Sequence, residues 1–249
     1  MHHRVAALYD IHGNLPALRA VIDEVRAEGV DAIVFGGDFL PGPLPRATLD
    51  AVLDLDIPSP SLRGNGDRVV LRYLDGLDID EVAERFRPSV VWNAGQLLPR
   101  HVNFLRSLPT TIPLSVQGVG RVHFCHATPF SDTDIFTADT PSSVLEPLFA
   151  EVDADLIVCG HTHMQFDRMV GGKRIVNAGS VGMPHGDPGA YWLLLGPSVE
   201  LRKTDYDLEA AEAVLRQSES PVMDIVVESI RNPKPANEMR KLFTEKGLK

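Results

Sequence analysis

The N-terminal part of the chain alternates short, β-branched apolar runs with segments of helical periodicity, and this alternation strongly limits the possible folds. Arg4–Asp10 and Asp31–Gly36 are predicted strands, and Ser61–Arg63 leads into another strand end. Asn14–Glu28 and Pro45–Leu55 are the predicted helices between them. Strand–helix–strand alternation implies right-handed crossovers and a largely parallel, buried sheet. The sequence therefore predicts an α/β fold.

The rest of the sequence adds helices and then more strands. Residues 69–108 carry apolar side chains at helical spacing. Further predicted strands are Thr111–Val116, Arg121–His126, Asp155–Cys159, Gln165–Val170, Lys173–Ala178, Ala190–Leu195 and Glu200–Lys203, and further predicted helices are Ser142–Val152, Leu208–Arg216 and Asn237–Lys246. Because no linker or internal repeat is present, we expect one domain over residues 1–249, ending in a helical segment over about residues 205–249.

Composition and charge argue against several classes of protein. A hydrophobic fraction of 44% is typical of a soluble globular chain. No stretch approaches the ~18 consecutive apolar residues of a membrane span, and no signal peptide is evident. The net charge of −10 argues against general nucleic-acid binding, which needs a basic surface. Cys125 and Cys159 lie in apolar runs, which indicates buried thiols and a cytoplasmic protein.

Polar side chains follow the predicted strands at their carboxyl ends. Asp10 and His12 follow the first strand, Asp38 the second, Asn65 the third, His126 the run Val122–Cys125, and His161 and His163 the run Leu156–Cys159. In an open α/β sheet, ligands bind at this edge. We therefore expect these side chains to form one site.

Local spacing supports a metal site. Asp10 and His12 are two residues apart, as are His161 and His163, so each pair projects the same way from extended backbone. Glycines precede Asp38, Asn65 and His161, which allows sharp turns and close approach to a ligand. Mixed carboxylate, amide and imidazole ligands suit manganese, iron or zinc better than calcium or magnesium.

Five short motifs resemble those of the calcineurin-like metallophosphoesterase superfamily. They are Asp10-Ile11-His12, Gly36-Gly37-Asp38, Gly64-Asn65-Gly66-Asp67, His126 and Gly160-His161-Thr162-His163. They occur in the family's order over residues 10–163, and Asn177–Gly182 is similar to an element of its small bacterial and archaeal phosphodiesterase branch. The resemblance implies a β-sandwich flanked by helices, with the active site at the C-terminal ends of the strands.

The resemblance also implies a dinuclear metal centre that hydrolyses phosphoric ester or anhydride bonds with metal-bound hydroxide. Carried over by position, one metal is held by Asp10, His12 and His163, the other by Asn65, His126 and His161, and Asp38 bridges them. The predicted catalytic residues are Asp38, Asn65, His126 and Asp67. We expect two divalent or trivalent ions, manganese first, with iron, zinc, nickel or magnesium as alternatives, and a small phosphorylated substrate of phosphodiester or nucleotide-type anhydride.

Gly66 departs from the family pattern, because many members have a histidine there that protonates the leaving oxygen. Gly66 has no acid group, so substrates with good leaving groups are favoured over alkyl monoesters. His185 lies in a Gly/Pro loop. It is either a residue that contacts the substrate or replaces the missing acid, or an exposed loop residue. Asp67 either orients a metal ligand or caps the helix that follows.

Two alternatives to this enzyme remain open on the sequence. The first is a metal-binding scaffold on the same fold without catalytic activity, although all seven ligand positions carry ligand-competent residues. The second is a protein phosphatase, which the acidic charge and small size disfavour.

Overall fold

The computed structural model describes residues 1–249, and its nine strands form two sheets. The strands are β1 Val5–Leu8, β2 Ala32–Phe35, β3 Thr111–Val116, β4 Gly120–Cys125, β5 Leu156–Cys159, β6 Phe166–Val170, β7 Lys173–Asn177, β8 Ala190–Leu195 and β9 Val199–Thr204. One sheet has the order β2-β1-β8-β9 and the other the order β3-β4-β5-β7-β6.

The sheets are mixed, so the prediction of a largely parallel sheet is wrong. Three strand pairs are parallel (β1 with β2, β4 with β5, β5 with β7), and four are antiparallel. Short connections explain three of the four antiparallel pairs, because strands joined by a tight turn must run in opposite directions. The fourth pair, β1 with β8, joins segments that lie far apart in the chain. The predicted hairpin at Gly171-Gly172 is confirmed and joins β6 to β7.

Nine helices surround the sheets. They are α1 Leu15–Ala27, α2 Pro45–Leu53, α3 Asn65–Leu74, α4 Arg87–Gln96, α5 Pro99–Ser107, α6 Ser142–Phe149, α7 Leu208–Leu215, α8 Met223–Arg231 and α9 Ala236–Lys246, with one 3-10 turn at Glu84–Phe86. Sequence analysis missed α8. None of the nine combines the length and apolar character that a bilayer span needs.

Alternate residues of β1 face two different cores, which places the sheets face to face. Val5 and Ala7 pack in one cluster with Val158 of the opposite sheet. Ala6 and Leu8 point the other way, into the cluster that includes the apolar stripe of α1. On the far side of the second sheet, residues of β5 pack against α6. The predicted β-sandwich flanked by helices is therefore confirmed.

The segment Ser61–Arg63, predicted to be the end of a strand, makes only one bridge, from Ser61 to Phe35. The chain does run beside β2, because the carbonyl oxygens of Pro58 and Pro60 accept hydrogen bonds from β2. However, proline has no backbone N–H to donate in return, so a regular ladder does not form.

Candidate metal centre

The candidate ligands converge from both sheets at the carboxyl ends of four strands. Asp10 and His12 follow β1, Asp38 follows β2, His126 follows β4, and His161 and His163 follow β5. Asn65 differs from expectation, because it is the first residue of α3 and does not follow a strand. All seven predicted ligands nevertheless lie around one buried point between the sheets.

Five of these seven residues have an unusual backbone conformation, with a positive φ angle. The non-glycine residues with positive φ are Asp10 (52°), His12 (46°), Asp38 (54°), His161 (65°) and His163 (59°), and there are no others in the chain. Each such residue costs of order 1–3 kcal/mol and persists only where the surrounding structure enforces it. The turns after β1, β2 and β5 therefore bear strain that aims these side chains inward.

Two groups of ligand atoms overlap at the centre of the site. One group is Asp10, His12 and His163, and the other is Asp10, Asp38 and His126, with the ligand atoms of each group within 4.8 Å of one another. His12 Nε2 lies 3.2 Å from His163 Nε2. Asp38 Oδ2 lies 3.6 Å from His12 Nε2 and 3.6 Å from His126 Nε2, which is the position of a bridging carboxylate.

Two oxygen atoms in this cluster lack the partners that a buried oxygen needs. Asp10 Oδ1 is buried and accepts no hydrogen bond. Asn65 Oδ1 lies 3.0 Å from His126 Nε2 and faces only acceptors, including His161 Nδ1. A bound cation would stabilise both of these oxygen atoms. Without a metal, the amide of Asn65 is better paired after a rotation of 180°. The orphaned oxygens and the chemistry of the donors therefore fit bound metal ions.

Backbone carbonyl groups orient three of the imidazole rings. Nδ1 of His12, His126 and His163 lies within 3.2 Å, 2.8 Å and 2.7 Å of the carbonyl oxygens of Pro41, Gly36 and Met183. A carbonyl oxygen only accepts, so each Nδ1 carries the proton and each Nε2 presents a lone pair to the centre.

Burial shifts the pKa values of the histidines and of the carboxyl groups in this cluster in opposite directions. It lowers the pKa of His126 and of His161 to about 4, so both rings are neutral at neutral pH. Burial, together with the charge of Asp38, raises the pKa of Asp10 well above its usual range. Burial also raises the pKa of Asp38. Buried carboxylates of this kind call for a positive charge close by.

Asp67 lies behind the cluster and does not enter it. Its carboxylate accepts hydrogen bonds from the backbone N–H groups of Asp38 (2.9 Å), Leu40 (3.1 Å) and Gly64 (3.1 Å). It therefore fixes the turn that carries Asp38 and the start of α3. Both interpretations of Asp67 are therefore supported, because it orients the backbone of the candidate ligand Asp38 and caps α3 through the Gly64 N–H.

Gly66 contacts the predicted bridging carboxylate through its backbone. Its N–H donates a hydrogen bond of 2.7 Å to Asp38 Oδ1. A Cβ atom at this position would lie 2.1 Å from the carbonyl oxygen of Leu40, so no side chain fits there without movement of the backbone.

His185 lies beside the cluster, with its ring stacked on that of His163 at a centroid distance of 5.7 Å. Burial, followed by the charge of Lys234, lowers the pKa of His185 to about 4. Its ring is therefore neutral at neutral pH, which disfavours the role of substitute acid. The position beside the ligands favours a substrate contact.

Sequence reasoning missed a second group of polar residues near His126. Arg68 forms ion pairs with Asp132 (2.6 Å) and Glu81 (2.7 Å), and the backbone oxygen of Asp132 faces the Asn65 amide. Arg63 and Arg68 both line a cavity of about 320 Å³, and Arg63 has no ion-pair partner. The position of Arg63 two residues before Asn65 is the one local signal that could have identified it.

Comparison with known proteins defines the class. The sequence model of the calcineurin-like phosphoesterase superfamily domain matches residues 4–196, so the chain belongs to that superfamily. An uncharacterized protein of Methanocaldococcus jannaschii is 28% identical over 227 residues, which cover 83% of this chain and 89% of the relative.

Two solved structures resemble the whole chain. A metallophosphoesterase from Sphaerobacter thermophilus has a TM-score of 0.72 at 26% identity, covering 92% of this chain and 98% of that one. A hypothetical protein of Pyrococcus horikoshii has a TM-score of 0.77 at 22% identity, covering 94% and 99%. The fold is thus that of a metallophosphoesterase, and the chain carries groups of candidate metal ligands.

Proposed function

We propose that this protein is a metal-dependent phosphoesterase that hydrolyses small phosphodiesters or nucleotide-type phosphoanhydrides, with two metal ions at the centre. One observation carries the proposal. Asp38 Oδ2 lies 3.6 Å from the Nε2 atoms of both His12 and His126, so a single carboxylate contacts both halves of the ligand cluster.

Asp10, His12 and His163 would hold one ion, Asn65, His126 and His161 the other, and Asp38 both. When bound, such a pair supplies an activated water and neutralises the charge on a transferring phosphoryl group. The mixed nitrogen and oxygen donors favour manganese, with iron, zinc, nickel or magnesium as alternatives.

The protein itself supplies orientation and a dry environment. Asp67 holds the backbone of Asp38, and His161 donates its backbone N–H to Asp10 Oδ2 at 2.9 Å. Most of these side chains are buried, which reduces their contact with water. Electrostatic stabilisation is stronger in such surroundings than in bulk water.

Two cavities that share no lining residue adjoin the cluster, which favours a substrate whose phosphorus carries two groups. One cavity of about 320 Å³ includes His126 and Arg63. The other, of about 380 Å³, includes His12 and Asp38. A phosphodiester or phosphoanhydride has one group for each cavity. Both volumes suit a small molecule, which disfavours a protein phosphatase.

The leaving group must depart without help from a protonated side chain. Gly66 has no acid group, and the imidazole of His185 is neutral at neutral pH because burial lowers its pKa to about 4. We therefore expect aryl esters and phosphoanhydrides to react much faster than alkyl monoesters.

We place the enzyme in the cytoplasm, acting on a small phosphorylated metabolite. Cys125 and Cys159 are both unpaired and buried, which suits a reducing compartment. Nothing in its acidic charge favours nucleic acid as a partner.

Metal analysis combined with a substrate panel tests the proposal. Manganese-loaded protein should contain two ions per chain and hydrolyse bis(para-nitrophenyl) phosphate and a nucleoside diphosphate. EDTA should abolish both reactions, and manganese should restore them. Two bound metals without turnover of any substrate would indicate a scaffold, whereas preference for a phosphopeptide would indicate a protein phosphatase.

A further inference from the structure

A cavity of about 380 Å³ opens onto the candidate metal centre. Five candidate ligands form one side of it: His12, Asp38, Asn65, His161 and His163. Any organic group attached to a phosphorus held at the centre can therefore extend into this space. The opposite side of the cavity consequently decides which organic groups fit.

The side opposite the candidate ligands is apolar. Phe86 of the 3-10 turn, Val226 of α8 and Phe243 of α9 belong to it, and Ile225 of α8 lies there with 44% of its surface exposed. Asp38 is the only charged side chain that lines the cavity. A charged substituent would lose its hydration here without gaining a partner, so an uncharged one is favoured.

Two polar atoms interrupt this apolar surface, and both lack a partner. Ser89 Oγ and His185 Nδ1 are buried and make no hydrogen bond within the protein. The Ser89 side chain comes from α4, and the residue is only 1% exposed. Buried polar atoms are almost always paired, so an unpaired hydroxyl on the wall of a cavity indicates a hydrogen-bonding group on the ligand.

We propose, building on the phosphoesterase function above, that this cavity binds an uncharged aromatic ring of the substrate that carries a hydrogen-bonding heteroatom. The ring packs on the apolar surface formed by Phe86, Val226 and Phe243. The heteroatom pairs with Ser89 Oγ. Aromatic contacts of this kind add to the affinity that comes from buried area alone.

Part of this selectivity comes from a region of the chain outside the family domain. The family match ends at residue 196, whereas α8 and α9 follow it. The strand-end loops thus provide the reactive centre, and α8 and α9 complete the selecting surface together with Phe86 and Ser89.

Binding of phosphonates, which resist hydrolysis, tests the proposal directly. The probes are inorganic phosphate, methylphosphonate, phenylphosphonate, hydroxyphenylphosphonate and carboxyphenylphosphonate, titrated calorimetrically into the manganese-loaded full chain. Phenylphosphonate should bind roughly tenfold more tightly than methylphosphonate, with a negative change in heat capacity. Hydroxyphenylphosphonate should bind severalfold more tightly again, and the charged carboxyphenyl probe should bind more weakly than phenylphosphonate.

Two variants with matched controls assign these effects to residues. Ser89→Ala should remove the added affinity for hydroxyphenylphosphonate and leave phenylphosphonate unchanged. Thr48→Val is its control, because Thr48 Oγ1 is also buried and unpaired but lies on α2, away from the cavity. Ile225→Glu should abolish the preference for phenyl over methyl, whereas Leu53→Glu, at a similarly exposed position (37%) on α2, should not.

The outcomes separate this proposal from the function on which it rests. If phosphate binds but phenyl and methyl probes bind equally, the cavity does not select aromatic groups. If Ser89→Ala weakens all probes alike, its hydroxyl is structural and the heteroatom contact is refuted. If neither phosphate nor any phosphonate binds the metal-loaded protein, the proposed phosphoesterase function itself fails.

Discussion

Asp38 connects the two halves of the candidate centre, so its removal is the sharpest test at the level of single residues. We predict that Asp38→Ala leaves at most one metal per chain and abolishes turnover, because Asp38 Oδ2 lies 3.6 Å from both His12 Nε2 and His126 Nε2. Elemental analysis and activity assays measure both effects. Asp153→Ala, at an exposed site away from the cluster, is the control. Two metals at wild-type occupancy with full activity would contradict the assignment.

Gly66 offers a second test, because a matched glycine exists elsewhere in a helix. A Cβ at Gly66 would lie 2.1 Å from the Leu40 carbonyl oxygen, whereas a Cβ at Gly95 would meet nothing within 4 Å. Gly66→Ala should lower the free energy of unfolding by about 1–3 kcal/mol and reduce activity, since the turn carrying Asp38 must move. Gly95→Ala should raise stability by up to about 1 kcal/mol.

Chemical denaturation of the two variants measures this difference. A Gly66→His variant should for the same reason impair the enzyme and not supply the acid found in relatives. Full stability and faster hydrolysis of alkyl esters in that variant would show that the backbone accommodates the side chain.

The residue types that follow strands are a local property, and for this reason the sequence predicts candidate ligands such as Asp10, Asp38 and His126. Their partners depend on long-range packing. No local signal shows that Asp67 accepts three backbone N–H groups, or that Ser89 and His185 present unpaired atoms to one cavity. The pKa of His185 also depends on how deeply the fold buries its ring, and this burial disfavours the interpretation of His185 as an acid.

At the level of elements, α1 joins the sandwich to a loop of the site. Asn14 Oδ1 accepts a hydrogen bond from Ala17 N–H at 3.2 Å, and Asn14 Nδ2 donates to the Gly182 carbonyl at 3.0 Å. Asn14→Ala should lower the free energy of unfolding by about 2 kcal/mol, of which about half comes from the lost cap and half from the unpaired carbonyl.

The cap of α7 provides the control for this prediction. Asp207 accepts hydrogen bonds from Glu209 and Ala210 on an exposed helix and joins no other element. Asp207→Ala should therefore lower the free energy of unfolding by only about 1 kcal/mol. Equal losses in the two variants, measured by urea denaturation, would show that the Gly182 contact adds nothing.

The sequence predicts some helices and strand pairings and misses others, for physical reasons. The cap and apolar stripe of α1 are contained in its own sequence, so the prediction of this helix is confirmed. The buried stripe of α8 has only three residues, Val226, Val227 and Ile230, which is too short to show a clear period. The antiparallel pairing of β8 with β1 joins segments far apart in the chain, which no local pattern indicates.

For the whole molecule, the centre connects the two sheets. Asp10, His12 and Asp38 follow strands of one sheet, whereas His126, His161 and His163 follow strands of the other. Metal ions held between them would link the sheets and offset the strain of five residues with positive φ. Folding stability and metal occupancy should therefore be coupled.

We predict that removal of the metals lowers thermal stability. A ligand at 1,000 times its Kd stabilises the folded state by about 4 kcal/mol, which corresponds to a rise in Tm of about 10 °C for a chain of this size. Manganese added to EDTA-treated protein should give a shift of this order by calorimetry. Calcium, which prefers all-oxygen ligands, should give much less. Equal shifts with both ions, or an undiminished shift in Asp38→Ala, would argue against the centre.

The affinity for metal should also depend on pH, and the buried carboxyl groups determine whether it rises or falls as the pH is lowered. The pKa of His126 and of His161 is about 4, so above that pH these rings are neutral and do not compete as proton acceptors. The pKa of Asp10 and of Asp38 is raised, so the metal-free protein keeps protons there at pH values where an ordinary carboxyl is ionised. Metal binding must displace these protons, so the affinity for manganese should fall as the pH is lowered.

Calorimetry at about pH 6 in two buffers of different ionisation enthalpy should detect proton release, and Asp10→Asn should reduce it. Proton uptake on binding, or tighter binding at lower pH, would refute this linkage.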